Sequence, residues 1–151
     1  AKLDLWEAAR LFALLDASLM DSYIAVWDSK YHFNHWRPYT AIRAAGDSAW
    51  ESLRPAPPSP DYVSAHAAGC ASTFRVLEEF FPDTKAFTMD SKAAPAGMPT
   101  RSFASFRAAA RECGDSRVRL GFHFRYATDA GERMGRDIAE HVIASRLRSL
   151  K

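Results

Sequence analysis

Long apolar runs are missing from this sequence. The most apolar stretch, Leu11 to Leu15, soon meets Asp16 and Asp21, and nothing approaches the roughly 20 uncharged residues that span a bilayer, so a membrane span is excluded. Cysteine is scarce: Cys70 and Cys113 are the only two in 151 residues. That is too few for a disulfide framework, so each reads as a small helix-packing residue, and neither fixes the redox compartment. No run of four or more residues alternates in the manner of a Val-, Ile- and Thr-rich strand, so nothing argues for a sheet. An excess of one charge is also lacking. The formal net charge of +2 is too mild to imply a polyanion partner, and no nucleic-acid partner is expected. The first residues hold no basic stretch followed by a short apolar segment and a cleavage site, so no signal peptide lies in them. A removed leader and a longer parent protein are both compatible with that start. The compartment is therefore open, and a soluble periplasmic or secreted protein is one way to satisfy it.

What is present is 48% apolar and 25% charged side chains, enough for one globular domain spanning 1–151. Leu5, Phe12, Leu19 and Val26 recur every seven residues, which predicts one long helix over residues 3 to about 31. Trp6, Leu11, Leu14, Met20 and Trp27 widen the stripe beyond a single seam. We therefore expect this helix to sit centrally in a bundle and to need cover from absent N-terminal helices or from a homo-oligomer. Pro38 disfavours helix at Arg37 and ends the segment. Pro55, Pro57, Pro58 and Pro60 make residues 46 to 60 a rigid loop. Ser64 caps a helix over Ala65 to Phe81, and Pro82 closes it. Residues 82 to about 102, with Pro95, Gly97 and Pro99, read as a second loop. Helices follow at about 103 to 113 and Ser116 to Phe124, separated at Gly114, and a last one starts at Thr128 or Asp129 with Met134, Ile138, Val142, Ile143 and Leu147 inward. The class is all-α.

Three segments place cationic or imidazole side chains beside helix ends or loops: WDSKYHFNHWRP at Trp27 to Pro38, DYVSAH at Asp61 to His66, and DSRVRLGFHF at Asp115 to Phe124. Lys30 and Arg37 lie two helical turns apart, and the break before Pro38 allows both to fold toward one point. Ser64 offers a hydroxyl together with the unpaired N–H groups of a helix start, the ordinary chemistry of an anion site. Arg117 and His123, six apart, fall on adjacent helical faces. Six arginines between Arg101 and Arg125 against Glu112 and Asp115 make the third segment anion-seeking, or else a solvated basic face. His32 and His35 lack the acidic or thiol neighbours of a zinc site, and His141 reads as structural.

In order along the chain, these segments give Lys30, Arg37 and Pro38, then Ser64 and His66, then Ser116, Arg117 and His123. This pattern resembles the vanadium-dependent haloperoxidase and type 2 phosphatidic acid phosphatase superfamily over roughly residues 21 to 145. The wording WDSKYHFNHWRPYTAIR, TRSFASF and FHFRYATDAG looks nearest to its bacterial haloperoxidase-like branch.

The resemblance implies a helical bundle, the catalytic part of a longer chain, whose pocket holds a tetrahedral oxyanion: vanadate, or phosphate in the same place. It assigns the oxyanion to Lys30, Arg37, Ser64, Ala65 and Arg117. It makes His123 the vanadium ligand or phosphorus nucleophile, His66 the acid/base, and Lys30 a catalytic partner to bound peroxide. Three cations and a helix start are physically suited to neutralise such an anion. The implied activity is oxidation of halide by hydrogen peroxide on small-molecule substrates. The alternatives are a soluble acid phosphatase acting through a phosphohistidine and a helical structural or binding protein with a decayed pocket. Val63 and Ala65 stand where the superfamily usually has Pro and Gly, and Ala127 stands where an Asp commonly follows the axial histidine.

Overall fold

A computed structural model of the chain describes residues 2–90, 97–98 and 100–148. It contains α1 (Leu5–Phe33), α2 (Pro38–Ala44), α3 (Ala65–Phe80), β1 (Phe87–Asp90), β2 (Thr100–Phe103), α4 (Phe106–Arg119) and α5 (Arg125–Ser145). Helix α1 opens on a reciprocal cap: Glu7 N–H donates to Asp4 Oδ1 at 2.8 Å, and Asp4 N–H donates to Glu7 Oε2 at 2.9 Å. It ends at Asn34, which takes the left-handed conformation at φ 42° and donates its N–H to the Lys30 carbonyl. Proline then starts the short α2, where a missing N–H does no harm.

Helix α3 runs through the middle of the bundle and packs on α1, α4 and α5. Its contact with α5 is close because α5 presents glycines there. A Cβ on Gly131 would stand 2.6 Å from the Ser64 carbonyl oxygen, and one on Gly135 would stand 2.1 Å from that of Ala68. One apolar cluster, Leu11, Leu14, Val76, Ala139 and Val142, fills the end of the bundle away from the histidine-bearing loops. A smaller one, Val26, Val63 and Ala68, lies beneath the first turn of α3. Among the described residues no helix is long and apolar enough to cross a membrane.

Several expectations are corrected by packing. The buried line of α1 is Leu11, Leu14, Ser18, Ser22, Val26 and Lys30, whereas Leu5 and Phe12 face outward. Ser18 and Ser22 are fully buried within that line, while Leu5 and Phe12 lie outside it. Residues expected to be loop pair instead as an antiparallel hairpin, with Phe87 opposite Phe103. The hairpin is held by stacking of Phe87 on Phe103 and Phe106, a signal carried by aromatic pairing rather than by alternation. Pro95 and Pro99 lie outside the described residues. Helix α4 is unbroken at Gly114, because the missing side chain there faces Ala67. Helix α5 starts at Arg125, ahead of Thr128, whose hydroxyl donates to the Arg125 carbonyl. Leu147 lies beyond α5 and is exposed, and so is His141.

The cysteines are not packing residues. Cys70 and Cys113 form a disulfide between α3 and α4, with Cα atoms 6.5 Å apart. A spacing of 43 in sequence carries no sign of that juxtaposition. Closing a loop of this length stabilises a fold by about 4 kcal/mol in the chain-entropy account.

The α3–α5 contact yields a paired prediction. Gly135→Ala drives a methyl group into the Ala68 carbonyl and is expected to lose about 1–3 kcal/mol. Gly114→Ala meets only an ordinary contact, 3.6 Å to the Ala67 Cβ, and is expected to be neutral or to gain up to about 1 kcal/mol of helix propensity. Urea denaturation of the two variants measures the difference.

Candidate functional site

The predicted cations do converge. Lys30, in the last turn of α1, is buried and donates from Nζ to the carbonyl oxygens of Pro60 at 2.6 Å and Asp61 at 3.1 Å. Arg37, just past the αL turn, is buried too. Its Nε donates to the Ser59 carbonyl at 2.7 Å and its Nη1 to the Phe122 carbonyl at 2.8 Å. Nη2 reaches Ser59 Oγ at 3.3 Å and the Pro60 carbonyl at 3.5 Å. The prolines of the 55–60 loop account for this arrangement, since a backbone unable to form helix or sheet turns its carbonyls toward two buried cations.

Ser64, fully buried, caps α3. Its Oγ accepts the Ala67 N–H at 3.4 Å, which leaves its own O–H as a donor, and its backbone N–H donates to the Ala127 carbonyl at 3.0 Å. The N–H groups of Ala65 and His66, in the first turn, have no intrahelical acceptor. His66 itself is exposed at the mouth of the site, while Ser116 is taken up inside α4, its hydroxyl donating to the Cys113 carbonyl.

Arg117 and His123 do not share a helix, contrary to expectation. Helix α4 ends at Arg119, Gly121 turns the chain at φ +77°, and the N–H groups of Phe122 and His123 return to the Arg117 carbonyl at 3.0 and 3.4 Å. The turn needs glycine twice over, since a Cβ there would also lie 2.8 Å from the Trp50 ring. It returns the chain so that the Phe122 ring lies under the Arg117 guanidinium at 4.6 Å, with Arg117 Nε buried and without a partner among the described residues, while the His123 ring meets Asp61 and Arg37. The remaining arginines of that stretch disperse. Arg101 pairs with Glu112, Arg125 pairs with Asp115, and Arg107, Arg111 and Arg119 are exposed.

One residue escaped the sequence reading. Asp61 is wholly buried, and its Oδ1 lies 2.7 Å from His123 Nδ1, an ion-pair contact whose angles depart from those of an aligned hydrogen bond. A carboxylate therefore does orient His123, arriving from the loop before α3 instead of from α5, where Ala127 stands. Its signal was its place in the DYVSAH segment, three residues before Ser64. His123 Nε2 faces the site, 3.4 Å from Arg37 Nη1.

Burial lowers the pKa of His123, against the upward pull of Asp61, which favours a neutral ring with Nδ1 directed to the carboxylate and Nε2 turned to the site, where Arg37 Nη1 meets it at 3.4 Å. Desolvation by the surrounding protein, then the charges of Arg117, His123 and Lys30, lowers the pKa of His66 as well. Burial, seconded by Arg37, lowers that of Lys30 to about 8. An environment that resists positive charge while holding three cations gains most from a multiply charged anion. The donors are three cations, the Ser64 hydroxyl and a helix start, the complement of a tetrahedral oxyanion. His32 and His35 stay apart from it: the His35 ring meets the Tyr126 hydroxyl at 3.1 Å. Among the described residues no His, Cys, Asp and Glu group is arranged to hold a metal ion directly.

The lowered Lys30 pKa predicts a pH dependence. Lys30 is charged below about 8 and loses its proton above it, so anion affinity should hold at neutral pH and fall as pH rises through and beyond 8. Sulfate, whose own charge is constant over that range, is the probe. Calorimetric titration should show the decline in the wild-type protein and a weaker, flat profile in Lys30→Met.

Comparison with known proteins agrees with this geometry. Residues 10–151 match the family described as the VCPO second helical-bundle domain. The vanadium chloroperoxidase of Curvularia inaequalis is 34% identical over a match covering 48% of this chain and 14% of that protein. The crystal structure of the first bacterial vanadium-dependent iodoperoxidase superposes with a TM-score of 0.83 at 36% identity, over 89% of this chain and 32% of that one. An apo-type bacterial vanadium-dependent chloroperoxidase shares the fold, with a TM-score of 0.77 at 19% identity over 93% of this chain and 37% of that one. The chain thus spans about a third of the length of these solved relatives. With its motifs gathered at one point inside the matched bundle, it belongs to the vanadium haloperoxidase family through that family's second helical-bundle domain.

Proposed function

We propose that this chain carries the vanadate site of a haloperoxidase that oxidises halide with hydrogen peroxide. The observation that supports this most is the pairing of a neutral, carboxylate-oriented His123 with the cations Lys30, Arg37 and Arg117 around one space. The residues fit vanadate. Arg117 Nε is a buried donor without a partner among the described residues, and His123 Nε2 faces the site with only a long contact, 3.4 Å, from Arg37 Nη1. Arg37, Arg117, Lys30, Ser64 and the Ala65 N–H would hold the oxygens, with His123 Nε2 directed at vanadium. Vanadate, when bound, supplies a Lewis-acidic centre that activates peroxide toward halide.

The protein's own residues do the rest. Asp61 keeps the His123 proton on Nδ1 and so keeps Nε2 available. Lys30, fixed by the carbonyls of Pro60 and Asp61, retains a third N–H that would donate to an oxygen of the bound anion. His66, at the open side of the site, would accept or return a proton of the bound anion, and its lowered pKa favours the neutral, proton-accepting imidazole. An open recess of about 650 Å³ walled by Met20, Tyr23, Ile24 and Trp27 reaches Ala65 and His66, an apolar approach for small substrates.

The same neutral His123 favours a second reading, an acid phosphatase. There Nε2 attacks phosphorus, the ester oxygen leaves with a proton from His66, and water later cleaves the phosphohistidine. The exposed apolar face at the start of α1, with Leu5, Trp6 and Phe12 each more than 60% exposed, we assign to contact with further helices of the same protein.

The test is kinetic. Added vanadate should switch on peroxide-dependent bromination of a phenol indicator, and phosphate should inhibit it. His123→Ala should abolish turnover, while His66→Ala should leave anion binding intact and slow turnover by about 10²–10⁴. Monoester hydrolysis that vanadate blocks, with no bromination, would select the phosphatase; silence in both assays would leave a decayed pocket.

A further inference from the structure

The two halves of the site are held by different means. Lys30 and Arg37 are fixed by hydrogen bonds to four backbone carbonyls and one hydroxyl, so their positions follow from the 59–61 loop and Phe122. Among the described residues, neither the His66 ring nor the Arg117 guanidinium has a side-chain hydrogen bond, and Arg117 rests only on the Phe122 face. Where these two stand depends on where α3 and α4 stand. Beside the site the seam between those helices sets Gly114 against Ala67, whereas its large contacts, Phe106 on Phe74 and Phe81, lie at the far end.

The Cys70–Cys113 bond crosses this seam at a particular level. Cys70 lies four residues after His66 on α3, and Cys113 lies four residues before Arg117 on α4. Each half-cystine is therefore about one helical turn, roughly 6 Å, from a site residue. Cys113 Sγ also lies 3.5 Å from the His66 carbonyl oxygen, so the bridge touches the very turn that bears the histidine. We propose that the Cys70–Cys113 cystine is a positioning element of the oxyanion site, fixing the gap between His66 and Arg117 that the anion occupies. The inference rests on the oxyanion reading above and adds a residue pair to it.

The test measures inorganic phosphate affinity by calorimetry, at a temperature well below unfolding, in four proteins: wild type, Cys70→Ala/Cys113→Ala, Arg117→Ala, and the combination. Loss of the bridge should weaken phosphate binding about 10- to 100-fold, the worth of a charge-assisted hydrogen bond. With Arg117 already removed, the same loss should matter much less, because the group that the bridge positions is gone. A lowered melting temperature with unchanged affinity, or an equal loss of affinity in both backgrounds, would overturn the proposal and reduce the cystine to a stabilising staple. So would two free thiols in protein purified without reductant. Should the double variant fail to fold, the wild-type protein reduced with a phosphine takes its place; if that too loses its helical circular dichroism, the bridge holds the fold rather than the site and the proposal falls. Wild-type protein that binds no phosphate or vanadate would instead sink the oxyanion reading itself, and this inference with it.

Discussion

Two cations buried against a row of main-chain carbonyls are the interaction on which the rest of the molecule depends. Stripping water from Lys30 and Arg37 carries a penalty of several kcal/mol each unless their donors are satisfied, and Ser59, Pro60, Asp61 and Phe122 satisfy them. The proline-rich loop has to lie against the end of α1 for this to happen. Once it does, Asp61 is carried inward, Ser64 reaches the head of α3, and the return from Gly121 is clamped by Arg37. The anion-seeking character of the site is thus a by-product of how three loops are pinned together.

The histidine–carboxylate pair shows how the same arrangement sets chemistry. Burial alone disfavours a charged imidazole, and a carboxylate alone favours it. The lowering by burial prevails, which favours a neutral ring with Nδ1 turned to the carboxylate and Nε2 turned to the site. A carboxylate on α5 would achieve this through a helical spacing. Here it comes from the loop ahead of α3, and the glycines of α5 that let α3 approach so closely help bring it within reach.

Much of this was legible in the sequence, and what was not has a common physical cause. Lys30, Arg37, Ser64, Arg117 and His123 were recognisable because three short segments set cationic, hydroxyl and imidazole side chains beside helix ends and loops. Asp61 was hidden because its meeting with His123 is made by the Gly121 turn and not by any helical period. The cystine was hidden likewise, since 43 residues separate partners that only the packing of α3 on α4 brings together. Gly114 looked like a break because its lack of a side chain serves a neighbour, Ala67, that linear order does not reveal. The outward turn of Leu5 and Phe12 has the same origin: the buried line of α1 runs through Leu11, Leu14 and Val26 with two serines between, and the seven-residue repeat does not follow it.

The distances along the chain between partners in the site have a kinetic meaning. Lys30 reaches across 30 positions to Pro60, and Arg37 across 85 to Phe122. Each such closure is an entropic toll met before its reward, so contacts of this separation form late relative to the helices that flank them. The helical framework can assemble from its apolar seams while the loops are still open. The cluster around Lys30 and Arg37 draws on positions as distant as Pro60 and Phe122, so it takes shape only as those loops close.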